Sequence, residues 1–171
     1  MNISRIKNKL VARLFTAFPA LARAAAAKVP PLKLDETPWV SFAKPLSQAR
    51  IGLVTTAGAH LKTDIPFDMV DSTGDPTFRM IPSASRAGDI MITHDYYDHS
   101  DADRDINIVF PLERLREMVA AGEIGSLTRR FFSFMGHIEE NHFPRFLVEQ
   151  APLVAAMFKE DGVDAVIVAP G

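Results

Sequence analysis

Arg50-Ile51-Gly52-Leu53-Val54-Thr55-Thr56-Ala57-Gly58 is the stretch on which the fold turns. It is a short apolar run closed by a turn residue. Such a run is too short for a helix of ordinary length and predicts a buried strand. The pattern returns at Ala165-Val166-Ile167-Val168, which leads into Ala169-Pro170-Gly171. Between them lie further strand candidates at 89–93 and 129–135, and a short one at 78–81. Leu112, Leu115, Met118 and Val119 recur at helical spacing behind Pro111, with Gly122 beyond. That predicts a helix over 112–119, and a second one is expected over 144–159. Strands alternating with helices, and unbroken Val/Ile runs, predict an α/β domain. The expected architecture is a largely parallel sheet with flanking helices, Rossmann-like and three-layered. The sheet reads as incomplete at its C-terminal end, because the chain stops one tripeptide after a strand.

Outward from this core the charge is uneven. The 171 residues carry a net charge of −2, but residues 1–28 hold Arg5, Lys7, Lys9, Arg13, Arg23 and Lys28 and no acid. The rest therefore sets 13 bases against 21 acids. The segment 1–28 reads as a basic helical arm resting on the domain or on a partner subunit. A targeting peptide and a membrane-surface helix are the other readings. Prolines over 29–48 predict an extended linker, and 49–171 form the domain. The overall charge gives no pull toward nucleic acid, and no apolar run is long enough for a membrane span. A cytoplasmic location is expected. There is no cysteine, so no disulfide, thiolate ligand or thiol nucleophile exists within these residues.

The densest chemistry follows the strand expected at 89–93. Thr93-His94-Asp95-Tyr96-Tyr97-Asp98-His99-Ser100-Asp101-Ala102-Asp103-Arg104-Asp105-Ile106-Asn107 sets two histidines among five aspartates. Histidine titrates near neutrality, and adjacent carboxylates fix its tautomer or raise its pKa. His94, Asp95, Asp98 and His99 are the candidate catalytic groups. A solvated loop whose aspartates cap turns is the plain alternative. The spacing Thr-His-x-x-x-Asp-His also looks like the zinc signature of metallo-β-lactamase-fold hydrolases. Tyr96, however, stands where that signature has its second histidine, and no metal site is expected.

A longer likeness covers residue 38 to the last residue. It runs through Pro38-Trp39-Val40, Lys44-Pro45-Leu46-Ser47-Gln48-Ala49-Arg50, Val54-Thr55-Thr56-Ala57-Gly58, Pro66-Phe67-Asp68 and Gly74-Asp75-Pro76. It continues through the acidic histidine loop, Val109-Phe110-Pro111-Leu112, Ser133-Phe134-Met135-Gly136 and Asp161-Gly162-Val163-Asp164-Ala165-Val166. In this the chain resembles the selenoprotein B subunits of the glycine, sarcosine, betaine and D-proline reductases. The resemblance implies reductive cleavage of a C–N bond in a small amino acid or amine. It also implies a selenocysteine or cysteine nucleophile, a pyruvoyl group on a partner subunit, and a hetero-oligomer. The nucleophile is expected directly after Gly171, with Pro170 and Gly171 forming its turn. The chain would then be a reading frame ended at an in-frame UGA, and would by itself have little or no turnover.

The remaining candidates are weaker. Asp101, Asp103, Arg104 and Asn107 are candidates for substrate or partner binding, with Arg104 read first as a local ion pair and Asn107 as a cap. His60 either faces the same site or lies at the surface, and His137 and His142 read as exposed loop histidines. Phe131, Phe132 and Phe134 read as core or interface. A zinc hydrolase and a non-catalytic scaffold subunit are the two other functions.

Overall fold

A computed structural model describes residues 3–27, 40–139 and 141–171. The run at 50–58 forms the central strand of the main sheet, β1 (Arg50–Thr55), with Ile51 and Leu53 fully packed. Along one edge β1 pairs in parallel with β7 (Ala165–Ala169), from Ile51↔Ala165 to Thr55↔Ala169. Along the other edge it pairs in parallel with β5 (Ser126–Leu127) and then β6 (Arg130–Ser133). The sheet is extended by β3 (Arg79–Pro82), antiparallel to β6. The strand expected at 89–93 leaves this sheet. It is β4 (Ile90–Ile92), paired antiparallel with β2 (Ala59–Leu61).

Alternation along β6 sorts its phenylalanines onto opposite faces. Phe131 joins Ile51, Leu53, Leu112 and Leu115 in one core, which brings in α3 (Leu112–Ala120). Phe132 turns the other way and joins Phe134, Val154 and Phe158 of α5 (Ala151–Glu160). A two-residue side-chain period on a strand buried on both sides gives this division. Gly52 is required for the second core, because a Cβ there would lie 2.8 Å from the Phe158 ring. The molecule is thus a mixed α/β fold with a mostly parallel sheet.

The helix expected over 144–159 begins slightly earlier, with α4 (His142–Arg145). A π-helical turn over Phe146–Gln150 then leads into α5. Pro152 explains that turn. It has no N–H for the Val148 carbonyl, so the helical ladder loosens just before it.

Helices α1 (Ile3–Ala17) and α2 (Pro19–Ala26) form the basic arm. α1 rests on the domain, with Ala12 buried. Of the linker expected over 29–48, residues through 39 lie outside the described residues, and 40–48 are irregular up to a 3-10 turn at Leu46–Gln48.

Candidate functional site

The parallel strands β1 and β7 end side by side, and beyond them Thr56-Ala57-Gly58 forms a floor. The Thr56 N–H donates to the Ala169 carbonyl (3.1 Å), and the Gly171 N–H donates to Thr56 Oγ1 (3.2 Å). Gly171 passes so close that a Cβ on it would lie 2.3 Å from Ala57 Cα. Gly58 has φ +71°, a region that costs an L-residue strain, and a Cβ there would lie 2.6 Å from the Thr93 carbonyl oxygen. That close approach brings the start of the acidic loop onto the floor, where the Tyr97 hydroxyl donates to the Ala57 carbonyl (3.1 Å). Tyr97 and Gly171 therefore both approach Ala57.

His94 is buried, and its Nδ1 accepts the Tyr96 N–H (3.1 Å), which places its proton on Nε2. Burial, reinforced by the nearby His137 and His99 and opposed by Asp95, lowers its pKa to about 4. At neutral pH His94 is therefore a neutral imidazole and a hydrogen-bond donor.

Asp95 is 1% exposed, and its partners come from the arm. Arg5 Nε lies 2.5 Å from Oδ2, Arg5 Nη2 lies 3.2 Å from Oδ1, and Lys9 Nζ lies 3.4 Å from Oδ1. Burial pushes the Asp95 carboxyl up, but Arg5 and Lys9 outweigh it and hold the group below its ordinary value. A carboxylate this buried needs such partners.

His99 lies edge-on to Tyr97, with ring centres 5.5 Å apart. Its Nδ1 is 2.8 Å from Asp103 Oδ2 but off the line of a hydrogen bond, so this buried nitrogen has no aligned partner. Lys9, Arg13, Tyr97, Asp98, His99 and Asp103 line a charged cleft of about 180 Å³ between the arm and the loop. Asp98 is held below its ordinary pKa by the Ser100 hydroxyl and N–H.

The other expected residues lie outside this cleft. His60 is neither at the surface nor in the cleft. It is fully buried, with Nδ1 donating to the Leu61 carbonyl (2.7 Å) and Nε2 accepting the Thr93 hydroxyl (2.8 Å). It thereby pins the base of the loop. Asp101 and Arg104 form an exposed pair at 2.8 Å, and Asn107 accepts the Glu113 N–H in the first turn of α3. Pro170 is exposed beyond β7.

His137 and His142 are half-buried rather than free in loops. His137 stacks on Tyr96 at 3.7 Å and donates to the Ser72 carbonyl, while His142 pairs with Asp71 at 2.8 Å. The sequence reads them as exposed loop histidines because their partners lie far along the chain. Sequence reading missed Arg5 and Lys9 as partners of Asp95, although the opposite charges of arm and loop were visible.

The zinc pattern does not assemble. His94 Nδ1 and Asp98 are both engaged locally, and among the described residues no three His, Asp or Glu side chains are grouped to hold a metal.

Comparison with known proteins agrees with the loop. The family model described as glycine/sarcosine/betaine reductase selenoprotein B (GRDB) matches residues 26–170. The chain belongs to this family. It is 36% identical over 133 residues to the D-proline reductase subunit gamma of Acetoanaerobium sticklandii, covering 78% of this chain and 53% of that one. It is 30% identical over 145 residues to the glycine reductase complex component B subunit gamma of Carboxydothermus hydrogenoformans, covering 82% of this chain and 32% of the relative. The betaine reductase complex component B subunit beta of Peptoclostridium acidaminophilum matches to the same extent. The chain thus spans about half the length of the first relative and about a third of the others. No solved structure matches it. The selenoprotein B match begins at residue 26, so α1 and most of α2 lie outside it.

Proposed function

We infer that the chain forms part of a reductase subunit that cleaves a C–N bond of a small amino acid or amine within a hetero-oligomer. The observation that carries this reading is the selenoprotein B match over 26–170, with its acidic histidine loop set on the floor at the strand ends. Ligands of parallel α/β sheets gather beyond such ends, which supports reading the sheet as Rossmann-like.

The chain has no cysteine, so the nucleophile comes from outside these residues, with the position directly after Gly171 as its proposed place. A selenol or thiol there would supply the attacking electron pair, and a pyruvoyl group on a partner subunit would activate the amine. The Gly171 contacts with Thr56 and Ala57 fit that place, since they hold the end of β7 against the floor that Tyr97 also touches. His94 offers a fixed Nε2–H donor. His99, beside Asp103, is the group suited to pass a proton to a departing amine. Tyr97 stays protonated, since burial raises its pKa, and its hydroxyl keeps the loop in place.

The test is an assay of the complete gene product with its partner subunits. Glycine, sarcosine, betaine and D-proline are offered with a dithiol as electron donor. Release of the amine, or ring opening of D-proline, supports the reading. No reduction of any small amine by a fully assembled complex overturns it. Sequencing the gene across the Gly171 codon tests the place of the nucleophile, which requires an in-frame UGA or cysteine codon there.

A further inference from the structure

Helix α1 has two distinct faces, and the domain uses one of them. At about 100° per residue, Arg5, Lys9 and Ala12 share the side that meets the acidic loop. Ile3, Ile6, Leu10 and Leu14 fall on the opposite side and are 82%, 37%, 60% and 46% exposed. Phe18 and Leu21 continue the exposed apolar surface past the break at Pro19. Lys7 and Arg13 border the stripe, one on each side, and both are exposed. A contiguous apolar stripe of this kind marks an interaction surface.

Charge restricts what can cover it. Residues 3–27 contain five bases and no acid. A second copy of α1 packed stripe to stripe would bring cations of the two arms together at the rims of the contact, where like charges repel. An anionic surface has no such conflict. The opposite side of the helix is already held by Asp95, while Ile6, Lys7, Leu10, Val11, Arg13 and Leu14 stay exposed around the outward side, and that open convex face suits a flat surface rather than an enclosing groove.

We propose that α1 lays the domain on an anionic lipid surface. Ile3, Ile6, Leu10 and Leu14 enter the boundary between headgroups and acyl chains. Lys7 and Arg13 extend sideways to the lipid phosphates, and Arg5 and Lys9 remain on Asp95. The helix is then an adaptor between bilayer and domain, and the histidine loop is held close above the lipid. This surface is independent of the reductase reading, and each fails or stands by its own measurement.

The experiment is flotation of the full 171-residue chain with phosphatidylcholine vesicles, with and without phosphatidylglycerol. The chain is expected to float with the anionic vesicles and to stay behind with neutral ones, and high salt is expected to release it. Leu10→Glu with Leu14→Glu should lower the bound fraction at least about tenfold, as charges are forced into the apolar boundary. Lys7→Glu should weaken the preference for anionic lipid, with Arg13 kept because it also lines the cleft beside Asp98. Hydrogen exchange over 3–17 checks that α1 is still docked in both variants. No flotation, equal binding to neutral vesicles, or full binding by the leucine variant overturns the proposal. So does a dimer that the leucine variant dissociates without any vesicle binding, which would make a second copy the occupant.

Discussion

His94 couples the site to pH. Its pKa falls from an ordinary 6.5 to about 4 in the folded chain. The unfolded chain therefore takes up this proton first as pH drops. Stability from this group is complete above about 6.5, declines as pH falls toward 4, and is then flat. At about 1.4 kcal/mol per pKa unit the loss is about 3 kcal/mol. His94→Gln should flatten the urea-midpoint profile between pH 7.5 and 5. A variant as pH-sensitive as the parent would show that the His94 proton is not the source. His60 offers a contrast on the neighbouring strand. With both ring nitrogens bonded to the protein, it serves as a buttress for Thr93.

At the scale of elements, the arm and the loop complete each other. Asp95 is a buried carboxylate whose charge partners stand some ninety residues earlier in the chain. Arg5→Ala leaves it with Lys9 alone and removes two charge-assisted hydrogen bonds. The expected cost to arm docking is about 1–3 kcal/mol, read as faster hydrogen exchange over 3–17 and faster tryptic cutting at Arg13. Unchanged exchange would mean that the helix is held by other contacts. Because the folded Asp95 pKa is depressed, its contribution is present above the ordinary carboxylate range and is lost as pH falls through the lower folded value. The arm should therefore stay docked at neutral pH and release only in acid. A different element-level device sits at the amino ends of the strands. There Asp161 accepts from Thr128, Arg129 and Arg130, which ties the segment between β5 and β6 to the end of α5.

Across the whole molecule, the main sheet is shielded unevenly. β1 has strands along both edges, whereas β7 pairs only with β1 among the described residues and exposes Val166, Ile167 and Val168. An apolar edge strand of this kind is a template for further pairing. The chain at high concentration should self-associate, with light scattering rising more steeply than in proportion to concentration. Val168→Lys should suppress this without lowering the urea midpoint. Scattering unaffected by that change would place the association elsewhere.

The local pattern of residues was enough to indicate the α/β class, the strand at 50–55, the helix behind Pro111 and the loop that carries the candidate site. Apolar periodicity and turn residues act over a few positions, and the loop's composition is itself local. It was also enough to read Arg104 as a surface ion pair and Asn107 as a cap, since both bond within a few residues. The departure of β4 into its own antiparallel pair was not legible, because strand partners are chosen by packing across the fold. The same holds for His137 on Tyr96 and for Arg5 on Asp95, contacts between segments far apart in the chain. Composition could announce that a basic arm and an acidic loop attract. Only the tertiary structure decided which face of the helix meets Asp95, because burying that carboxylate requires two cations at one place, and the apolar stripe is left outward as a result.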